Sequence, residues 1–143
     1  MIRVKGGSES QRKHVKSMAN FCVTKLMPRM KTLNITIRLT SPNGAMGYCL
    51  ELDNNRTYEI EVDRTLTLRK LLETVAHEMV HVKQYARREL HPVHNSWMGK
   101  TYNPKTVDYW DLPWEIEAHG REIGLFVRWA EKYNLGSKKW VQV

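Results

Sequence analysis

His77, Glu78 and His81 bring two imidazoles and a carboxylate together at a spacing that suits a hydrolytic metal centre. Residues four apart lie one above the other on the same side of an α-helix, so both rings can reach a single ion. Glu78 falls at the edge of that face, where it can take a proton from a metal-bound water without becoming a ligand itself. Two imidazoles with a carboxylate favour zinc, which lowers the pKa of its water from about 16 toward about 7. The expected chemistry is that of a metallohydrolase: Glu78 accepts the proton, the hydroxide attacks a polarised carbonyl, and Glu78 returns the proton to the leaving group.

Such a site needs a helix and a third ligand. From Thr67 the chain reads TLRKLLETVAHEMVHVKQYARREL, with Leu68, Leu71, Leu72, Val75, Met79 and Val82 at three- and four-residue steps and no Gly or Pro inside. That stripe faces a core. His77 and His81 fall beside it, near Lys70, Thr74 and Gln84, where a ligand can be held by the core yet open to a cleft.

A catalytic zinc takes three protein ligands and leaves a fourth position for water. A helix beginning at Pro113, a favoured first-turn residue, and running to about Tyr133 supplies the best candidates. On it, positions 115, 119, 122, 123, 126 and 130 share a side containing Ile123, Phe126 and Ala130, which directs Glu115 inward. Glu117 falls instead with Arg121, Arg128 and Lys132, a charged stripe that reads as solvated. Glu115 is therefore the expected third ligand, with His94, Glu117 and His119 as alternatives. His119 could also hydrogen-bond a ligand, and His91 with His94 offers an all-histidine set from a loop. Tyr102, Tyr109 and His119 are candidate donors to a developing oxyanion.

The elements that must position these groups follow from periodicity. Residues 1–8 read as a flexible lead, and Glu9 to Met27 as an amphipathic helix closed by Pro28. Leu33, Ile35, Ile37 and Leu39 alternate with polar residues as in a strand with one buried face. A second strand covers Ala45 to Asp53, with Met46, Tyr48, Leu50 and Leu52 on one face, and a third runs from Thr57 to Asp63. The turns Ser41-Pro42-Asn43-Gly44 and Asp53-Asn54-Asn55 between them predict a three-stranded antiparallel meander, with Tyr58 to Val62 as an unpaired strand able to take up an extended peptide. Residues 91–112 form a long connection in which Trp97 to Tyr102 reads as a strand. The fold class is α+β, in one domain spanning 1–143.

Composition narrows the partners. Lys and Arg outnumber Asp and Glu by 23 to 15, a formal charge of +8 that draws the chain toward polyanions. The basic residues are spread along the sequence, so a generally basic surface fits better than a dedicated DNA groove. The five tryptophans could stack nucleic-acid bases but more often pack a core or line a cleft. No stretch approaches bilayer length, and two cysteines are too few for a disulfide framework, so a soluble cytoplasmic protein is expected, with no membrane partner.

The His77-to-His81 motif followed by a helix bearing Glu115-x-x-Ala118 resembles the gluzincin metallopeptidases, whose second helix donates a Glu with an Asp or Asn one turn later; here that position holds His119. The motif also resembles SprT-like and Spartan proteases, with His94 before Trp97 standing near their third-ligand segment, although Asn95 replaces the usual Gly. These resemblances imply a zincin-like arrangement of N-terminal helix, three-stranded sheet, metal-binding helix, long loop and C-terminal helix. They also imply a zinc-dependent peptidase acting on protein or peptide. A DNA-associated binding module, with zinc structural or absent, and a hydrolase of non-peptide amides or esters are the competing readings.

Overall fold

A serine at the entrance of the first helix and a glycine pair before it set the start of the chain. In the computed structural model, which describes residues 1–41, 44–52, 56–91 and 93–142, Ile2–Gly6 forms strand β1 and Glu9–Leu26 forms helix α1. Ser8 Oγ accepts from the Gln11 backbone N–H at 3.1 Å, and Gln11 Oε1 accepts from the Ser8 N–H at 2.9 Å, closing a capping box. Gly6, at φ +82°, lies so close to the Leu39 carbonyl that a Cβ would strike it. The segment expected as a flexible lead is thus the first strand of the sheet.

Strands β2 (Asn34–Thr40), β3 (Gly47–Glu51) and β4 (Thr57–Asp63) complete that sheet in the order β1-β2-β4-β3. β1 pairs in parallel with β2, and β2 in parallel with β4; only β3 runs antiparallel, against β4. The antiparallel meander is therefore corrected to a mixed four-stranded sheet, in which α1 makes the crossover from β1 to β2. The inward faces explain the order. β2 and β4 bury Ile35, Ile37, Leu39, Tyr58, Ile60 and Val62, whereas β3 turns only Gly47, Cys49 and Glu51 toward the helices. A strand without large apolar side chains gains least from the centre of a sheet and is found at its rim. Met46, Tyr48, Leu50 and Leu52 are exposed. Tyr58 to Val62 is not an unpaired strand, since β4 has neighbours on both sides. The two short turns expected before and after β3 include residues 42, 43 and 53–55, outside the described residues.

Helix α2 (Leu68–Ala86) packs against α1, the sheet and helix α3 (Pro113–Lys132). Thr67 caps α2, and Pro113 occupies the first turn of α3. Every residue from Leu71 to Gln84 is buried, more than an amphipathic stripe requires, because α2 is enclosed on three sides. Between α2 and α3 lie strands β5 (Leu90–His91), β6 (Ser96–Trp97) and β7 (Lys100–Thr101) and a 3₁₀ turn at Tyr109–Asp111; α4 (Lys139–Gln142) follows α3. The strand expected over Trp97 to Tyr102 is instead split between β6 and β7. Among the described residues no helix is long and apolar enough to cross a membrane.

Candidate metal centre

Enclosing α2 forces its polar residues to find partners inside the protein. His77 and His81, each 7% exposed, project toward α3, where the spacing 115, 119, 122 aligns Glu115, His119 and Glu122 on one side. Glu115 meets both imidazoles: Oε1 lies 3.1 Å from His77 Nε2 and Oε2 lies 3.3 Å from His81 Nε2. The two rings stand nearly perpendicular, 4.9 Å between centroids. Two ligand atoms on a tetrahedral zinc, each 2.0–2.1 Å from the ion, are about 3.3 Å apart. His77, His81 and Glu115, whose donor atoms all lie within 4.8 Å of one another, could therefore hold a metal ion.

Proton affinities follow from three carboxylates crowded around two imidazoles. Burial opposes a charge on His77, but its hydrogen bond to Glu115 and the nearby Glu122 and Glu78 outweigh that and lift its pKa to about 9. His81 is raised by the same balance, burial working against Glu115, Glu78 and Gln84. Glu115 is held well below the usual carboxylate range: its burial is overcome by both histidines and by Tyr109. Glu78, 4% exposed, moves the other way, pushed up by burial and by Glu115 and Glu122 against the pull of the histidines. A carboxylate with raised proton affinity beside these donors can take up a proton.

Around this core the supports differ. His81 Nδ1 donates to Gln84 Oε1 at 2.7 Å. His77 Nδ1 faces Glu122 Oε2 at 3.5 Å without a hydrogen bond. The other oxygen of Glu122 is 2.8 Å from His119 Nδ1, and His119 Nε2 is 2.9 Å from the hydroxyl of Tyr109. Tyr109 OH in turn donates to Glu115 Oε1 at 2.9 Å. Burial first, then Glu115, keep this phenol protonated and thus a donor. His77, His119 and Glu122 also lie close enough to be read as a second donor set. Of these, His119 and Glu122 already hydrogen-bond each other, whereas His77 Nδ1 meets Glu122 Oε2 only at 3.5 Å.

The structure thus gathers His77, Glu78, His81, Glu115 and His119. It does not bring in His94 or His91, which are exposed on the β5–β6 hairpin with their rings 4.7 Å apart. Glu117 lies outside the donor set; it pairs with Arg121 at 3.0 Å within the expected charged stripe, but it is itself partly buried, with Oε2 2.6 Å from the Lys83 ammonium. Ile123, expected on the inner side of α3, is half exposed. Tyr102 packs edge-on to Trp114, away from the donors. Gln84 and Glu122 were not singled out as supports in the sequence; their signals were spacings of three from His81 and seven from Glu115.

The donors line a cleft of ≈ 720 Å³ whose rim includes Met46, Tyr48 and Trp110. Gly47 opens it: a Cβ there would sit 2.9 Å from the Glu61 carbonyl oxygen, 3.0 Å from Thr74 Cγ2 and 3.5 Å from Glu78 Oε2. No protein-family model matches the chain, and no curated protein or solved structure is similar to it.

Proposed function

We propose that this protein is a zinc-dependent peptidase that hydrolyses peptide bonds in the cleft between β3 and α3, with His77, His81 and Glu115 as ligands and Glu78 as general base. The observation that carries the reading is the convergence of both Nε2 atoms on the two oxygens of Glu115, at ligand spacing, beside a buried Glu78. Zinc held there would supply Lewis acidity toward the scissile carbonyl and the attacking water. Glu78 takes a proton from that water and returns it to the leaving amine. Tyr109, its hydroxyl backed by His119, donates to the oxyanion as it develops. His77 is kept in place by the carboxylates of Glu115 and Glu122, and His81 by Glu115 and Gln84.

Peptide rather than a small ester is favoured by the walls of the cleft. Among the described residues β3 pairs within the sheet only with β4, which leaves its other edge to an extended chain. Exposed Met46, Tyr48 and Trp110 at the rim add apolar contact surface. The glutamate on the second helix favours the gluzincin resemblance over the SprT-like one, with Glu122 facing the first histidine where gluzincins use an earlier Asp or Asn. Free Cys22 and Cys49 accord with a reducing cytoplasm. The basic surface, charge +8, supports nucleic acid as a companion of the substrate protein.

Incubating the zinc-loaded protein with unfolded protein, and separately with small amides and esters, tests the reading. Cleavage of polypeptide that Glu78→Gln abolishes without loss of zinc is the expected result. Zinc binding with no hydrolysis of any substrate class would instead leave the DNA-associated binding module.

A further inference from the structure

His81 and His77 are supported unequally, and the stronger support has a direction built into it. Gln84 is fully buried, three residues after His81 on α2. Its amide nitrogen donates to the Trp114 backbone carbonyl at 2.9 Å and to Glu117 Oε1 at 3.0 Å. A backbone carbonyl can only accept, so the amide cannot be turned over without facing oxygen to oxygen. Gln84 Oε1 must therefore point at His81 Nδ1, 2.7 Å away. An amide oxygen also only accepts, so the proton of the neutral ring sits on Nδ1 and the lone pair on Nε2, the nitrogen aimed at Glu115. Lys83 and Arg121 hold Glu117 from its other oxygen, so the chain of contacts is anchored in both helices.

We infer that Gln84 is the positioning residue that fixes the tautomer and ring plane of His81 for metal binding through Nε2, with the Trp114 carbonyl as the group that sets its orientation. This rests on the metal site proposed above. His77 is held more loosely there, its Nδ1 facing Glu122 Oε2 at 3.5 Å without a hydrogen bond. Partners of this kind typically alter metal affinity by about 10- to 100-fold.

The test combines zinc affinity by chelator competition with long-range ¹H–¹⁵N correlation spectra of the zinc-loaded protein, on wild type, Gln84→Leu and Gln84→Glu, with thermal melts to establish folding. Wild type should carry the His81 proton on Nδ1. Gln84→Leu should bind zinc about 10- to 100-fold more weakly, and Gln84→Glu, which still accepts from Nδ1 but sets a carboxyl oxygen against the Trp114 carbonyl and Glu117, should recover only part of the loss. Equal affinity in wild type and Gln84→Leu, or a wild-type His81 protonated on Nε2, overturns the inference while leaving the metal site standing. If Gln84→Leu does not fold, the wild-type spectrum decides: a His81 proton on Nδ1 supports the inference, and one on Nε2 overturns it. Wild type that binds no zinc is a different failure, that of the metal site itself.

Discussion

Two polar clusters lie between α2 and α3, barely a turn apart, and they are balanced differently. Around Lys83, the carboxylates of Glu89 and Glu117 are 2.7 and 2.6 Å from its ammonium, and Arg121 adds a second cation to Glu117. The protein's own fixed charges close that cluster. Around His77 and His81, the carboxylates of Glu78, Glu115 and Glu122 gather with no Lys or Arg pairing to any of them among the described residues. Imidazoles can answer those charges only by binding protons, or by giving up the space to a divalent ion. On the proposed reading, the acids that face histidines hold a cation that comes and goes, whereas those given a lysine join the two helices.

Breaking the open cluster at its base should have the largest effect on function. Glu78→Gln is expected to lower peptide cleavage on the order of 10²- to 10⁴-fold while zinc content, read by metal analysis, stays at the wild-type level. Breaking the closed cluster should act on stability instead. Lys83→Met strands the partly buried Glu89 carboxylate and leaves Glu117 to Arg121 and Gln84, and should cost about 3 kcal/mol in the unfolding free energy from denaturant titration, with the geometry around His77 and His81 retained. A loss under about 1 kcal/mol would show that the two clusters are not different in kind. Tyr109→Phe removes one hydroxyl and should reduce kcat by about 10²-fold with KM little changed, the mark of a donor used in the transition state.

Acidity separates the clusters more gently. In the metal-free protein the His77 pKa, raised from 6.5 to about 9, contributes stability that is complete below 6.5 and lost as pH climbs through about 9. Glu115, lowered from 4.5, contributes stability present above 4.5 and lost as pH falls through its depressed value. The melting temperature of metal-free protein should therefore decline between pH 6.5 and 9, and saturating zinc should remove that decline because metal binding displaces the protons. The smallest effect is expected at β3: Gly47→Ala puts a methyl against the Glu61 carbonyl and Thr74, costing about 1–3 kcal/mol and narrowing the cleft.

Most of the donor set was legible because it obeys helical arithmetic. Spacings of four on α2 and of four and seven on α3 place side chains without any knowledge of the rest of the chain, so His77, His81, Glu78 and Glu115 stood out in the sequence. Glu117 did not, because its partner Lys83 lies 34 residues away on another helix and no local pattern pairs them. The sheet was misread for a related reason. Alternation identified β2, β3 and β4 as strands, but which strand lies between which depends on comparing their buried faces, and β4, richer in large apolar residues than β3, takes the central place. β1 alternates too weakly to announce itself; Ile2 and Val4 become inward-facing only through pairing with Ile35 and Ile37.

Crystals of the zinc-loaded protein, measured on both sides of the zinc absorption edge, test the account at its root. An anomalous difference peak about 2.0–2.1 Å from His77 Nε2, His81 Nε2 and a Glu115 oxygen is the predicted result. A peak centred on His91 and His94, or zinc taken up equally well by Glu115→Ala, would contradict it.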